Sequence, residues 1–296
     1  MTTTKSGDEL LAPVAAPPPA AAESELPVLV IEPSSRITLD LKDLWDYRGL
    51  LYFLFWRDVK VRYKQTILGA AWAILQPVAT MIIFTIFLGR LAKISSDGIP
   101  YSLFVFSGLL PWQLFAFALT ESSSSLVNNK QLITKVFFPR VIIPVSAVLV
   151  GFVDFLVASG VLAVLMVYHH VVPTVGIVLL PLLIVFAVFA ALSVGLILSA
   201  LNVQYRDVRY TIPFIVQIWM FATPIVYPSS LIPAKWRLLY GLNPMAGVVE
   251  GFRWALFGTS TGVGPLIAVS VTTVMVLFFV GLAYFKRMER YFADRV

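Results

Sequence analysis

There is no cysteine among the 296 residues. That excludes a disulfide framework, a cysteine zinc site and a thiol nucleophile, and it leaves the compartment open. Charge is the second scarcity. Asp, Glu, Lys and Arg make up 13% of the chain, about half the roughly 25% of soluble domains. The two histidines, His169 and His170, are adjacent. On a helix they point about 100° apart, so they read as surface residues and not as a ligand pair. No GxxxxGK[ST] phosphate loop, HExxH or GxSxG is present, and no carboxylates stand at metal-ligand spacing. No catalytic or metal residue is therefore assigned, and the chain is not expected to hydrolyse ATP by itself.

Apolar length is what the chain does have. Hydrophobic residues make up 59% and aromatic residues 14%, and the mean hydropathy is +0.87. Such a composition predicts an all-α integral membrane protein whose core is made of its spans. The net charge of +6 suits anionic membrane lipid and an anionic substrate. The basic residues stand at span ends and not in one patch, which argues against nucleic acid as a partner.

Two membrane elements follow one another within 44–77. Tyr52, Phe55, Trp56, Val59 and Tyr63 fall at helical spacing and form one aromatic stripe. Arg57, Lys60 and Lys64 take the opposite face. A basic amphipathic helix over 44–65 is expected to lie in the membrane surface with its cations near lipid phosphates. Charge then stops between Lys64 and Arg90. Residues 68–88 can cross about 30 Å of hydrocarbon at about 1.5 Å per residue.

Residues 1–39 form a Pro- and Ala-rich tail, expected to be disordered because it cannot bury enough apolar surface. Asp8, Glu9 and the prolines rule out a secretory signal. Six spans are predicted: 68–88 with Pro77 inside, 101–125 interrupted by Gly108 and Pro111, 141–168, 175–201, 211–227 and 263–285. The connection 128–139 reads as a short helix capped by Asn129 and ended by Pro139. Its ridge of Leu132, Ile133, Val136 and Phe137 either meets a protein partner or lies flat on the bilayer. The segment 228–258 is too polar and broken for a simple span. Within it Asn243 is an N-cap, Pro244 the first helical residue and Gly258 the stop. The helix between is too short to cross. Gly247 and Gly251 give it a small face for close packing, and Glu250 and Arg253 are spaced to pair. A re-entrant helical hairpin before the last span, entering and leaving on the outer side, fits this pattern.

Orientation follows from the basic residues. Of the 22 Lys and Arg, all but Arg90, Lys93, Lys235, Arg237 and Arg253 fall on one side. That side is cytoplasmic and holds both termini.

Asp154 stands near the middle of the third span, where a charge costs on the order of 3 kcal/mol. It faces either a channel or a hydrogen-bond partner on another helix. Trp72, Trp112, Trp219 and Trp254 lie away from the interface belts, and Phe221 and Tyr227 end the fifth span. These aromatics either stack on sugar rings along a substrate path or pack against lipid and protein.

Four motifs in order, WRDVKVRYKQTILGAAWAILQP (56–77), NNKQLITKVFFPR (128–140), NVQYRDVRY (202–210) and LNPM…EGFRWALFG (242–258), resemble the permease subunit of type-2 ABC exporters. The resemblance covers residues 40–290 and is strongest to the O-antigen and related polysaccharide exporters. It implies a homodimer in the bacterial cytoplasmic (inner) membrane, joined to two nucleotide-binding ATPase subunits that carry the ATP and Mg. It implies that Arg57, Lys60, Arg62 and Lys64 dock on that ATPase, with Lys130, Leu132, Lys135, Val136 and Phe137 as a coupling helix. It further implies that 228–258, with Asn243, Pro244, Glu250 and Arg253, forms an outer gate. The substrate is expected to be an undecaprenyl-linked glycan. Teichoic acid, drug and lipid exporters are the alternatives within the class. A lipid-linked sugar transferase needs clustered acids or histidines, and an ion-coupled carrier needs several intramembrane charges. Neither pattern is found.

Overall fold

A computed structural model describes residues 45–64, 71–205, 207–258 and 263–292. The tail at 1–39 lies outside them. All regular structure among the described residues is helical. The helices are α1 (Arg48–Lys64), α2 (Ala71–Phe84), α3 (Tyr101–Asn128), α4 (Lys130–Lys135), α5 (Ile142–Tyr168), α6 (Leu180–Gln204), α7 (Val208–Phe221), α8 (Ala234–Tyr240), α9 (Pro244–Phe257) and α10 (Val263–Glu289). Among the described residues, five stretches are long and apolar enough to cross a bilayer: Ala71–Leu91, Tyr101–Asn128, Ile142–Tyr168, Val175–Gln204 and Gly264–Glu289. The fifth predicted span, 211–227, is not a single helix. The 14 residues of α7 rise about 21 Å, short of the roughly 30 Å of hydrocarbon.

α3 is the axis of the bundle. Its most apolar stretch is 78% buried, against 11% for that of Ala71–Leu91. A helix apolar on every side belongs in the core, and α5, α6, α2 and α9 all pack on this one. Three of its buried serines fit there because they satisfy themselves. Ser107, Ser123 and Ser125 each donate to a carbonyl three residues back, a bond open to hydroxyls on a helix. Gly108 and Pro111, expected to interrupt this span, lie inside one continuous 28-residue helix. Neighbouring helices shield the backbone that proline leaves open. In α2, Pro77 is buried within the helix, which widens into a π-helix over Thr85–Leu91.

At one end of the bundle a second apolar cluster gathers Leu54 of α1, Leu126 of α3, Ile133 of α4, Ile142 of α5, Ala200 of α6 and Phe285 of α10. Arg140 fastens this end. Its backbone N–H donates to Glu289 Oε1 at 3.1 Å, and its guanidinium donates to the Glu289 carbonyl. The connection 128–139 is helical only over Lys130–Lys135, with Val136 extended. Asn129 does not cap that helix. Its amide donates to the Ser125 carbonyl at 2.8 Å, and its side-chain oxygen accepts from Arg57 at 2.9 Å. The apolar ridge divides: Ile133 is buried while Val136 and Phe137 are exposed.

The aromatic stripe of α1 divides, with Val59 buried, Phe55 and Tyr63 half-buried, and Tyr52 and Trp56 exposed. Leu54 is buried as well, and Phe53 is exposed. The helix packs along α5. The small face of α9 is real: a Cβ on Gly247 would stand 2.6 Å from the Ser270 side chain of α10. Gly247→Val is expected to overpack that contact and cost about 1–3 kcal/mol. Gly160→Ala in α5, with open space around it, is expected to be neutral or stabilising by up to about 1 kcal/mol. Melting midpoints of the detergent-purified protein check both.

Candidate functional site

α7 stops at Phe221, and the chain continues as irregular backbone over 222–227, most of it buried. Backbone carbonyls away from water need donors. Here side chains from three other helices supply them. Arg253 of α9 donates to the carbonyls of Pro224 at 2.6 Å and Ile225 at 2.7 Å. Tyr240 of α8 and the Asn243 side chain donate to Ala222 at 2.7 and 3.0 Å. Tyr101 of α3 donates to Val226 at 2.8 Å.

Arg253 is 2% exposed. Glu250 pairs with it at 3.0 Å, as their spacing predicts. The Phe104 carbonyl accepts from it at 3.3 Å, and its guanidinium lies 3.6 Å over the Phe104 ring, a cation–π contact strengthened by desolvation. Gly108 makes room: a Cβ there would stand 3.0 Å from the guanidinium.

The hairpin α8–α9 is held at three points. Ser230, before α8, donates to Asp97 at 3.0 Å in the loop between α2 and α3. Thr174, between α5 and α6, donates through its hydroxyl to the Ala255 carbonyl at 2.8 Å, late in α9. Both ends of the hairpin therefore sit at the same end of the bundle. The turn between them lies deeper, where Ser270 of α10 donates to the carbonyls of Gly241 and Asn243. Asn243 caps α9, accepting from the Met245 N–H at 3.1 Å, and its side-chain oxygen also accepts from Trp219 at 2.9 Å. Gly258 closes α9 with φ 69°, a left-handed conformation that favours glycine. α9 is buried on almost every side, Trp254 being its one exposed residue.

The remaining sequence-derived residues fall in separate places. Trp112 is in the core, 5.4 Å from Phe115, and Trp219 meets Phe115 edge-on at 5.1 Å. Tyr227 shares a hydrogen bond with Tyr240 at 2.7 Å. Trp254 borders a shallow cavity of about 620 Å³ with Thr174, Val175, Gly176, Leu179 and Gly258. Trp72 on α2 and Phe221 at the end of α7 are exposed. Asp154 meets Arg62 and Tyr63 of α1. One copy of the chain thus brings Trp219, Tyr227, Asn243, Pro244, Glu250 and Arg253 together at the end of α7, sets Trp112 one ring away across Phe115, and leaves Trp72 and Asp154 apart. Of the residues expected to couple, Lys60, Lys64, Lys130, Lys135, Val136 and Phe137 are exposed and Leu132 is half-buried. Arg57 and Arg62 are bonded within the chain. Sequence reasoning missed Tyr101, Tyr240 and Thr223, whose hydroxyl accepts from the Asn243 amide at 3.0 Å, as members of the α7 site. The signal was present: an arginine in an apolar helix needs acceptors, and Pro224 breaks a helix where it frees them.

The fold and this site define a multi-pass α-helical membrane protein with one incomplete span sealed by a re-entrant hairpin. The ABC-2 type transporter family model matches residues 49–257, and the chain belongs to that family. It is 32% identical over 262 residues to the O-antigen export system permease protein RfbA of Klebsiella pneumoniae, covering 88% of this chain and 99% of the relative. It is 29% identical over 254 residues to RfbA of Myxococcus xanthus, covering 85% and 97%. It is 24% identical over 244 residues to the polysialic acid transport protein KpsM of Escherichia coli, covering 80% and 92%.

Removing Arg253 leaves Glu250 buried and unpaired and strips two carbonyls of their donors. Arg253→Ala is therefore expected to cost about 3–5 kcal/mol. Arg253→Lys keeps the charge but lacks the planar fork, and is expected to fall between the two. Thermal unfolding of the purified chain, read against wild type, gives the order.

Proposed function

We propose that this chain is the permease subunit of an ABC exporter that carries polysaccharide across the bacterial cytoplasmic membrane. The observation that carries this reading is the match, over most of both chains, to permeases named for O-antigen export and polysialic acid transport. The sequence has no phosphate loop, so ATP and Mg belong to a separate nucleotide-binding subunit.

Two copies form the conduit, since closed twofold assemblies are the common solution for a passage one bundle does not enclose. Uncovered apolar faces support this. Tyr210, Phe214, Ile218 and Phe221 of α7 are exposed, as are Trp72, Leu75, Ile83 and Phe87 of α2 and its π extension. Aromatics on such faces offer sugar rings a surface to slide over, and the substrate is a glycan on an undecaprenyl carrier. The hairpin α8–α9 is the outer gate. The cluster that joins α1, α4 and the end of α10 faces the cytoplasm, with both termini on that side.

The ATPase docks at this cytoplasmic end, on Val136 and Phe137 with Lys60, Lys64, Lys130 and Lys135 around them. Val136→Asp and Phe137→Asp are expected to cut copurification of the ATPase at least tenfold, about 1.4 kcal/mol or more of lost association. Both side chains are exposed, so the melting midpoint is expected to stay that of wild type. Undiminished copurification argues against this docking face. ATP-dependent appearance of surface polysaccharide in cells carrying the chain and its ATPase, absent when either is removed, tests the function itself.

A further inference from the structure

Two contacts of α1 stand outside the α7 site. Arg57 donates to Asn129 Oδ1 at 2.9 Å, at the joint between α3 and α4. Further along, Arg62 donates to Asp154 Oδ2 at 2.6 Å, and the Tyr63 hydroxyl donates to Asp154 Oδ1. Adjacent residues of one helix thus occupy both oxygens of a carboxylate on another. The Arg62 guanidinium also lies 4.3 Å from the centre of the Phe117 ring of α3. Gly151, one turn before Asp154, allows that ring its place, since a Cβ there would stand 2.6 Å from it. Glu121 of α3 lies within the field of Arg62 and Asp58.

Depth gives the arrangement its meaning. Asp154 stands about 18 Å along α5 from Ile142, at about 1.5 Å per residue. Leu54 of α1 belongs to the end cluster, and Val59, also buried, follows it on the way to this point. An unpaired acid at that depth costs on the order of 3 kcal/mol. Arg62 and Tyr63 offset that cost only while α1 is docked. Parting the two helices leaves the Asp154 carboxylate, 19% exposed, without the partners that satisfy both its oxygens.

Resting on the permease reading above, we propose that Asp154 is a positioning residue. With Arg62 and Tyr63 it locks α1 to α5, so that α1 acts as a strut. Displacement entering at α4 passes through the Asn129–Arg57 contact into α1, and from its end into the middle of α5. With the lock opened, the end cluster still moves when nucleotide is hydrolysed, but α5 does not follow. Hydrolysis then runs without transport.

The test uses the permease–ATPase complex and cells whose own copy of the permease gene is deleted. Surface polysaccharide is measured per cell, and ATP hydrolysis on the purified complex. Asp154→Asn and Arg62→Gln are expected to lower export per ATP about tenfold, within the range of ordinary coupling free energies, while the ATPase still copurifies and hydrolyses. The charge exchange Arg62→Asp with Asp154→Arg is expected to restore coupling. Because the single variants risk poor folding, the exchange is decisive: a folded exchange variant that stays uncoupled overturns the lock. Wild-type export per ATP in Asp154→Asn overturns it too, as does a loss of assembly and hydrolysis in step with export. If wild-type protein supports no ATP-driven export, the permease reading itself fails and the lock falls with it.

Discussion

Six residues of irregular chain after α7 set the terms for the rest of the molecule. Four of the six are buried where a helix would have satisfied their carbonyls internally, and no water is at hand in a bilayer core. Donors must come from elsewhere, and they come from Arg253, Asn243, Tyr240 and Tyr101. Arg253 in turn needs Glu250 to balance its charge and Gly108 to leave it room. The break in one span thereby dictates an arginine in the hairpin, a glycine in the core helix and a tyrosine at that helix's start. The hairpin is thereby tied to α3 through the Arg253 contact with the Phe104 carbonyl.

The two ends of the bundle use their charges differently. At the end of α7 the charge is fully buried and holds backbone. At the other end Arg140 and Glu289 join the start of α5 to the end of α10, and Arg57 joins α1 to the joint before α4. Exposed Lys60, Lys130 and Lys135 surround these ties. This end is built as a connected plate, with free cations and the apolar side chains of Val136 and Phe137 on its outer surface.

Much of this was legible beforehand. The long apolar runs, the cap at Asn243, the stop at Gly258 and the spacing of Glu250 with Arg253 are local signals, because each depends on neighbours a few residues away. Where reading by pattern went astray, a distant partner decided. Asn129 has the chemistry of a cap, but Arg57 takes its oxygen. Gly108 and Pro111 are helix breakers in water, but packed neighbours keep α3 continuous. Val59 shares the stripe of Tyr52 and Trp56 by spacing, but it is buried with Leu54 while they stay exposed. The fifth span has the composition of a crossing helix over its whole length, and only the arginine that reaches Pro224 and Ile225 shows why it ends early.

What the linear chain determined alone is its solvent and its elements. Hydropathy and length make it a membrane protein of helices, because transfer free energy and helix rise are properties of short stretches. Which charges face outward and which are consumed inside was decided by the tertiary structure. Arg57, Arg62 and Lys60 look alike along one helix, yet Arg57 reaches Asn129 and Arg62 reaches Asp154, on other helices or their joints. Pairing energy depends on the distance to an acid that folding brings near, and that distance is not written in the order of the residues.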